Sequence, residues 1–61
     1  MKVKLKNFPN GATVVYLGML FTKKPCPMPY HFALVNEKYE LYLHRETFVE
    51  PMQNLPDVKA D

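Results

Sequence analysis

The chain has no tryptophan, a single cysteine, a single arginine and only two glycines. Each shortage removes a class of protein. One thiol, Cys26, cannot form an intramolecular disulfide, which excludes the stapled solution typical of small secreted domains. Gly11 and Gly18 are too few for a glycine-rich phosphate loop. No run approaches the roughly 18 to 20 consecutive apolar residues of a membrane span. The start, Met1-Lys2-Val3-Lys4-Leu5-Lys6, alternates charge with apolar residues where a secretory signal would carry a continuous apolar stretch. These features predict a cytoplasmic chain without a membrane segment.

The same scarcity limits chemistry. Zinc sites take about four nitrogen or sulfur ligands, usually in close pairs. Cys26, His31, His44 and Glu46 do not supply that spacing. A cysteine nucleophile needs an oriented base and a lowered pKa, whereas Cys26 sits between Pro25 and Pro27. The expectation is no metal, no cofactor and no catalytic residue, so a protein that is not an enzyme.

What is present is a core. Of 61 residues, 48% are hydrophobic and 23% charged, a globular composition. A domain of this size buries only roughly 60% of its unfolded surface, so nearly every large side chain is needed inside. The net charge is +2, and the body before residue 53 carries seven basic and four acidic side chains. Such a mild excess does not by itself specify nucleic acid.

Alternation dominates the pattern. Lys2 to Lys6 reads K-V-K-L-K, a strand with Val3 and Leu5 on one face and three lysines on the other. Phe8-Pro9-Asn10-Gly11 is a tight turn, because Pro9 presets φ while Asn10 and Gly11 tolerate positive φ. Thr13 to Leu17 is β-branched and aromatic, as strands are. A turn at Gly18-Met19 leads into Leu20-Phe21-Thr22 and on to Lys23 and Lys24. Pro25, Pro27 and Pro29 remove three amide donors and disfavour helix, which predicts an extended loop or edge. Tyr30 to Asn36 resumes as a strand, Asn36-Glu37-Lys38 turns, and Tyr39, Leu41 and Leu43 share one face of the next. Thr47-Phe48-Val49-Glu50 closes the run at Pro51.

This organisation predicts an all-β fold, a small SH3-like barrel of five or six short antiparallel strands. Residues 1–52 form the single domain and residues 53–61 a flexible C-terminal tail. The expected core is Val3, Leu5, Val15, Phe32, Leu34, Leu41 and Leu43, with helix near nil.

The order Phe8-Pro9-Asn10-Gly11, Val14-Val15-Tyr16, Gly18, Phe21-Thr22-Lys23, Ala33-Leu34-Val35 and Val49-Glu50-Pro51 resembles small phage-encoded and prophage-encoded proteins with an SH3-like barrel. The likeness spans most of residues 2 to 52, and the Pro25 to Tyr30 insert departs from it. It implies a phage origin and the fold, without an assigned activity. A shorter stretch, Leu43-His44-Arg45-Glu46, resembles the carbon storage regulator family of RNA-binding proteins, whose N-terminal strand and Gly-Glu turn are not matched here.

Two surfaces carry the functional expectation. Pro25-Cys26-Pro27-Met28-Pro29-Tyr30 is a stiff loop whose Met28 and Tyr30 lose little entropy on docking. With Tyr16 and Tyr42 it predicts a phage accessory protein that binds and modulates a host protein. The competing role for the loop is a connector in which Met28 caps the open end of the barrel. The alternative function is a nucleic-acid-binding barrel using Lys2, Lys4, Lys6, Lys23 and Lys24 along phosphates, with Tyr16, Phe21 or Tyr42 as stacking platforms. Against it, lysines on an outer strand face also serve to block edge-to-edge aggregation. Met19, Leu20, Met52 and Leu55 leave room for a homodimer contact.

Overall fold

A computed structural model describes residues 1–52; the expected tail over 53–61 and Leu55 lie outside the described residues. The fold is all-β, with six antiparallel strands in one sheet. The strands are β1 (Val3–Lys4), β2 (Thr13–Tyr16), β3 (Met19–Pro25), β4 (His31–Val35), β5 (Glu40–His44) and β6 (Phe48–Pro51). Their spatial order is β1-β6-β2-β3-β4-β5. The described residues contain no α-helix, and none of their helices is long and apolar enough to cross a membrane.

Period two decides what is inside. Val14 pairs with Phe21, Lys23 with Leu34, and Leu34 with Leu41, so these residues share the inner face of the sheet. Leu5, Val14, Phe21, Leu34 and Val49 form the buried cluster, with Phe8, Tyr16, Met19, Phe32, Leu41 and Leu43 packed around it. Each fully buried side chain of this kind contributes about 1.5 to 3 kcal/mol. Of the expected core, Leu5 and Leu34 are fully buried, while Val3, Phe32, Leu41 and Leu43 are half-buried. Val15 is on the opposite face, paired with Leu20 and Glu50. Val14 takes its place because Val14 is the residue in register with Phe21.

The sheet curls without closing into a hydrogen-bonded ring. β1 is only two residues long and runs into a 3₁₀ turn over Leu5–Asn7, so the expected five-residue strand is cut short. That turn inserts Leu5 into the core, which a continued flat strand at the edge would not do. It also brings the β1 side of the sheet to the turn after β5: Leu5 N–H donates to Thr47 O at 2.8 Å and Lys6 N–H to Arg45 O at 3.0 Å. These two bonds draw the outermost strands together at one end.

The turns follow local chemistry. Ala12 N–H donates to Pro9 O at 3.1 Å across a turn in which Gly11 takes φ +91°. At the β4–β5 turn, Asn36 Oδ1 accepts from the backbone of Lys38 and Tyr39 at 2.8 and 2.7 Å, and its Nδ2 donates to Leu20 O. The β2–β3 hairpin turns at Leu17-Gly18, one residue earlier than the sequence predicts, because Met19 pairs with Tyr16. Leu17 has φ +54° and Gly18 φ +77°, the two positive values of a type I′ turn.

Leu17 is an unusual choice there. A branched side chain in the left-handed region costs roughly 1 to 2 kcal/mol, and Asn is the residue that this turn favours. Leu17 is also 73% exposed, so packing returns little. Leu17→Asn is therefore expected to stabilise the fold by about 1 kcal/mol, read as a higher urea midpoint with an unchanged slope.

Candidate functional site

Lys23 occupies a place that the sequence reading assigned to the surface. Its neighbour Phe21 points inward, and two residues along a strand return to the same face, so Lys23 points inward as well. It is 2% exposed. Its ammonium donates to Phe8 O and lies 3.8 Å from the centroid of the Phe32 ring. A carbonyl and an aromatic face together take the place of water around the cation. No buried side-chain nitrogen or oxygen among the described residues lacks a partner. Desolvation lowers the Lys23 pKa from its ordinary value. Lys23 thus ties the Phe8 carbonyl to β4 and is not available to a phosphate.

The remaining lysines are divided. Lys4 and Lys6 each reach a Glu46 carboxylate oxygen at 3.0 Å, and Arg45 Nε approaches it at 3.7 Å. This cluster lies over the backbone bonds that join the Leu5–Asn7 turn to the β5–β6 connection. Hydrogen bonds from Lys4 and then Lys6 hold the Glu46 carboxyl down at about 2. Lys2 and Lys24 are exposed, Lys2 beside β6 and Lys24 on β3 opposite Ala33. The expected stripe is therefore broken, and the expected stacking platform Phe21 is in the core.

The loop after β3 presents a different picture. Met28 is 45% exposed and so does not cap the core. Its carbonyl accepts from His31 N–H at 3.3 Å, which closes the loop onto the start of β4. Tyr30 takes φ +64° and is 65% exposed. Arg45 N–H donates to Tyr30 O at 2.8 Å, and the Arg45 guanidinium lies 4.9 Å from the Tyr30 ring centroid. The backbone of Tyr30 is thus pinned and its ring is displayed.

Beside it, His31 and His44 face each other across the β4–β5 ladder with ring centroids 5.4 Å apart, edge to face. His31 Nδ1 donates to Pro29 O at 2.7 Å, since that carbonyl can only accept. His44 Nδ1 accepts from Glu46 N–H at 3.1 Å, which places its proton on Nε2. The sheet makes neighbours of two histidines distant in sequence. No group of three or more metal-ligating side chains occurs among the described residues.

The four residues expected to dock a partner do not gather. Met28 and Tyr30 share the loop end of β3 and β4, and Tyr42 stands on the outer face of β5 opposite Ala33. Hydrogen bonding to Glu40 raises the Tyr42 pKa and turns its hydroxyl along the strand. Tyr16 is half-buried at the far end of β3, beside Met19. Six strand steps separate the two ends, about 20 Å. There Tyr16 lines a groove of about 290 Å³ with Lys2, Val15, Leu17, Phe48 and Glu50. Arg45, the partner of Tyr30, was not legible as a site residue; only the β5 register brings it to the loop.

Comparison with protein-family models, with curated proteins and with solved structures found no match.

Two pH dependences follow. The carboxyl of Glu46 has a folded pKa below its ordinary value, so its stabilising contribution is complete above about pH 4.5 and is lost as pH falls through about 2. Glu46→Gln should flatten the acid limb of stability between those values, measured by urea unfolding at stepped pH. Lys23 behaves oppositely. With its folded pKa lowered, the unfolded chain binds the extra proton, and stability rises with pH from that lowered value up to about 10.5. Lys23→Met should therefore compare more favourably with the wild type at pH 7 than at pH 10.

Proposed function

We propose that the chain is a non-catalytic binding module that engages a protein partner through the loop carrying Met28 and Tyr30. The observation that carries this reading is Tyr30, an aromatic side chain held at φ +64° and left 65% exposed. Left-handed backbone at a bulky residue costs about 1 to 3 kcal/mol, persists only where the surrounding structure holds it, and clusters at binding sites. Exposing the ring forgoes the burial that would offset this cost. The Arg45 guanidinium against the ring and the Arg45 amide on the Tyr30 carbonyl hold the anchor in place before any partner arrives. A preformed anchor sacrifices little conformational freedom on docking. Tyr and Arg are also the residue types that dominate binding energies at protein interfaces.

In the phage setting that the sequence resemblance implies, the partner is a host protein in the cytoplasm, and the module modulates it by occupancy. The nucleic-acid reading has weaker support. Lys23 is inside the fold, and Lys4 and Lys6 are engaged with Glu46.

The test pairs binding with stability. Because both side chains are exposed, Met28→Ala with Tyr30→Ala should leave thermal unfolding nearly unchanged. Immobilised wild-type chain is expected to retain specific proteins from host lysate, identified by mass spectrometry. Affinity for the retained protein should fall by roughly 2 kcal/mol or more in the double variant, about thirtyfold. Equal retention by both chains would overturn the proposal.

A further inference from the structure

One register position inside the sheet is left without its partner. Val3 pairs with Val49 and Leu5 N–H donates to Thr47 O, so residues 47 and 49 turn their backbone polar groups toward β1. By antiparallel alternation Phe48 and Glu50 turn theirs toward β2. Glu50 meets Val15 there. The residue due opposite Phe48 in that register is Leu17, but β2 ends at Tyr16 and the chain turns off at Leu17-Gly18. Among the described residues no hydrogen bond joins Phe48 to Leu17. The groove of about 290 Å³ opens at this place, walled by Val15, Leu17, Gly18 and Phe48. The Phe48 N–H and C=O face into it as one donor and one acceptor.

Two opposite charges flank the groove, Lys2 and Glu50. Every ion pair among the described residues is made by Glu46, so neither is engaged. One step past the Val3 and Val49 pair the register sets them across from each other, where a direct pair, exposed as Lys2 is, holds little. The surface between them is apolar and open: Leu17 is 73% exposed and Phe48 52%.

We infer that this groove binds a free α-amino acid with an apolar side chain, which takes the place of the missing ladder residue. Lying antiparallel to β6, its ammonium donates to Phe48 O and its carboxylate accepts from Phe48 N–H, the two bonds that a hydrogen-bonded pair exchanges. That direction puts the ammonium on the Glu50 side of Phe48. Lys2 is then the cation for the ligand carboxylate, and both charged contacts strengthen the backbone bonds. The ligand side chain falls on the face that carries Val15 and Phe48 and gives Leu17 the apolar contact it lacks. Sites for drug-sized molecules run from roughly 300 to 1,000 Å³, so a groove of about 290 Å³ suits a ligand of single-residue size. The Val15 and Glu50 pair closes the groove beyond the ammonium, which excludes a residue preceding the bound one. The site is at the opposite end of β3 from the Met28 and Tyr30 loop and does not depend on it.

Titration of the isotope-labelled chain with L-leucine at neutral pH, followed by amide chemical shifts, tests the site. The amides of Leu17, Gly18 and Phe48 should move together and saturate with a dissociation constant of about 1 mM or tighter. N-acetyl-L-leucine, which lacks the ammonium, and L-leucinamide, which lacks the carboxylate, should each bind about tenfold more weakly or worse. Glu50→Gln should weaken leucine about tenfold. Lys2→Gln should weaken leucine by a similar factor and leave leucinamide within about threefold. Leu17→Asn, which stabilises the turn, should still weaken leucine about threefold or more, a loss that no folding defect explains. Three results would overturn the inference: no saturating shifts at Leu17 and Phe48 in the unaltered chain, binding indifferent to Glu50→Gln, or leucinamide as tight as leucine, which marks the N-terminus of a peptide as the occupant.

Discussion

A single sheet has two faces and this chain has enough apolar volume to fill one. Everything else follows from which side chains occupy that inner face. Val14 and Phe21 are opposite each other in the central hairpin, and Leu34 continues the face into β4. Val49 and Leu5 fill it from the β6 and β1 side. A flat sheet would leave this cluster open to water. The 3₁₀ turn over Leu5–Asn7 resolves the problem by folding the chain back over the cluster and onto the β5–β6 connection. Glu46, held by Lys4 and Lys6, then bridges the side chains of the same two segments. Exposed ion pairs are individually weak. Here they reinforce backbone bonds already made, at the place where the curled sheet would open first.

The inner face also explains the buried lysine. Strand geometry allows no exception to alternation between Phe21 and Lys23 without a bulge. The long side chain instead carries its charge to the rim of the core, where the Phe8 carbonyl and the Phe32 ring receive it. An ion pair is not needed when a carbonyl dipole and a π-face replace the lost hydration. The outcome is a tie between the loop before β2 and strand β4, made by a residue whose type suggests solvent.

Features that do not serve the core cluster elsewhere. Tyr30 and Leu17 both hold left-handed backbone and both are exposed, at opposite ends of β3. β5 is regular over five residues, while β1 is two residues long and runs into a 3₁₀ turn. In so small a domain the residues that oppose folding stand out, because few remain once the core is filled.

Alternation and turn chemistry, both local properties, sufficed for the all-β class and for most strands. The Phe8-Pro9-Asn10-Gly11 turn, the β4 and β5 faces and the Asn36 turn were legible because each depends on neighbours within a few residues. Where the reading failed, the deciding interaction was distant. Val14 rather than Val15 faces inward because of its register with Phe21. Lys23 and Lys24 look alike in sequence, and Phe21 two residues before was the available signal that they differ. The short β1 followed from the need to bring Leu5 into the core, and Arg45 reached Tyr30 only through the β4–β5 register. Composition and period determined that this chain makes short antiparallel strands joined by tight turns and one proline-rich loop. Tertiary pairing alone decided which lysines are buried or paired and which aromatics are displayed, because those outcomes depend on cross-strand register, and a shift of one residue exchanges the two faces of a strand.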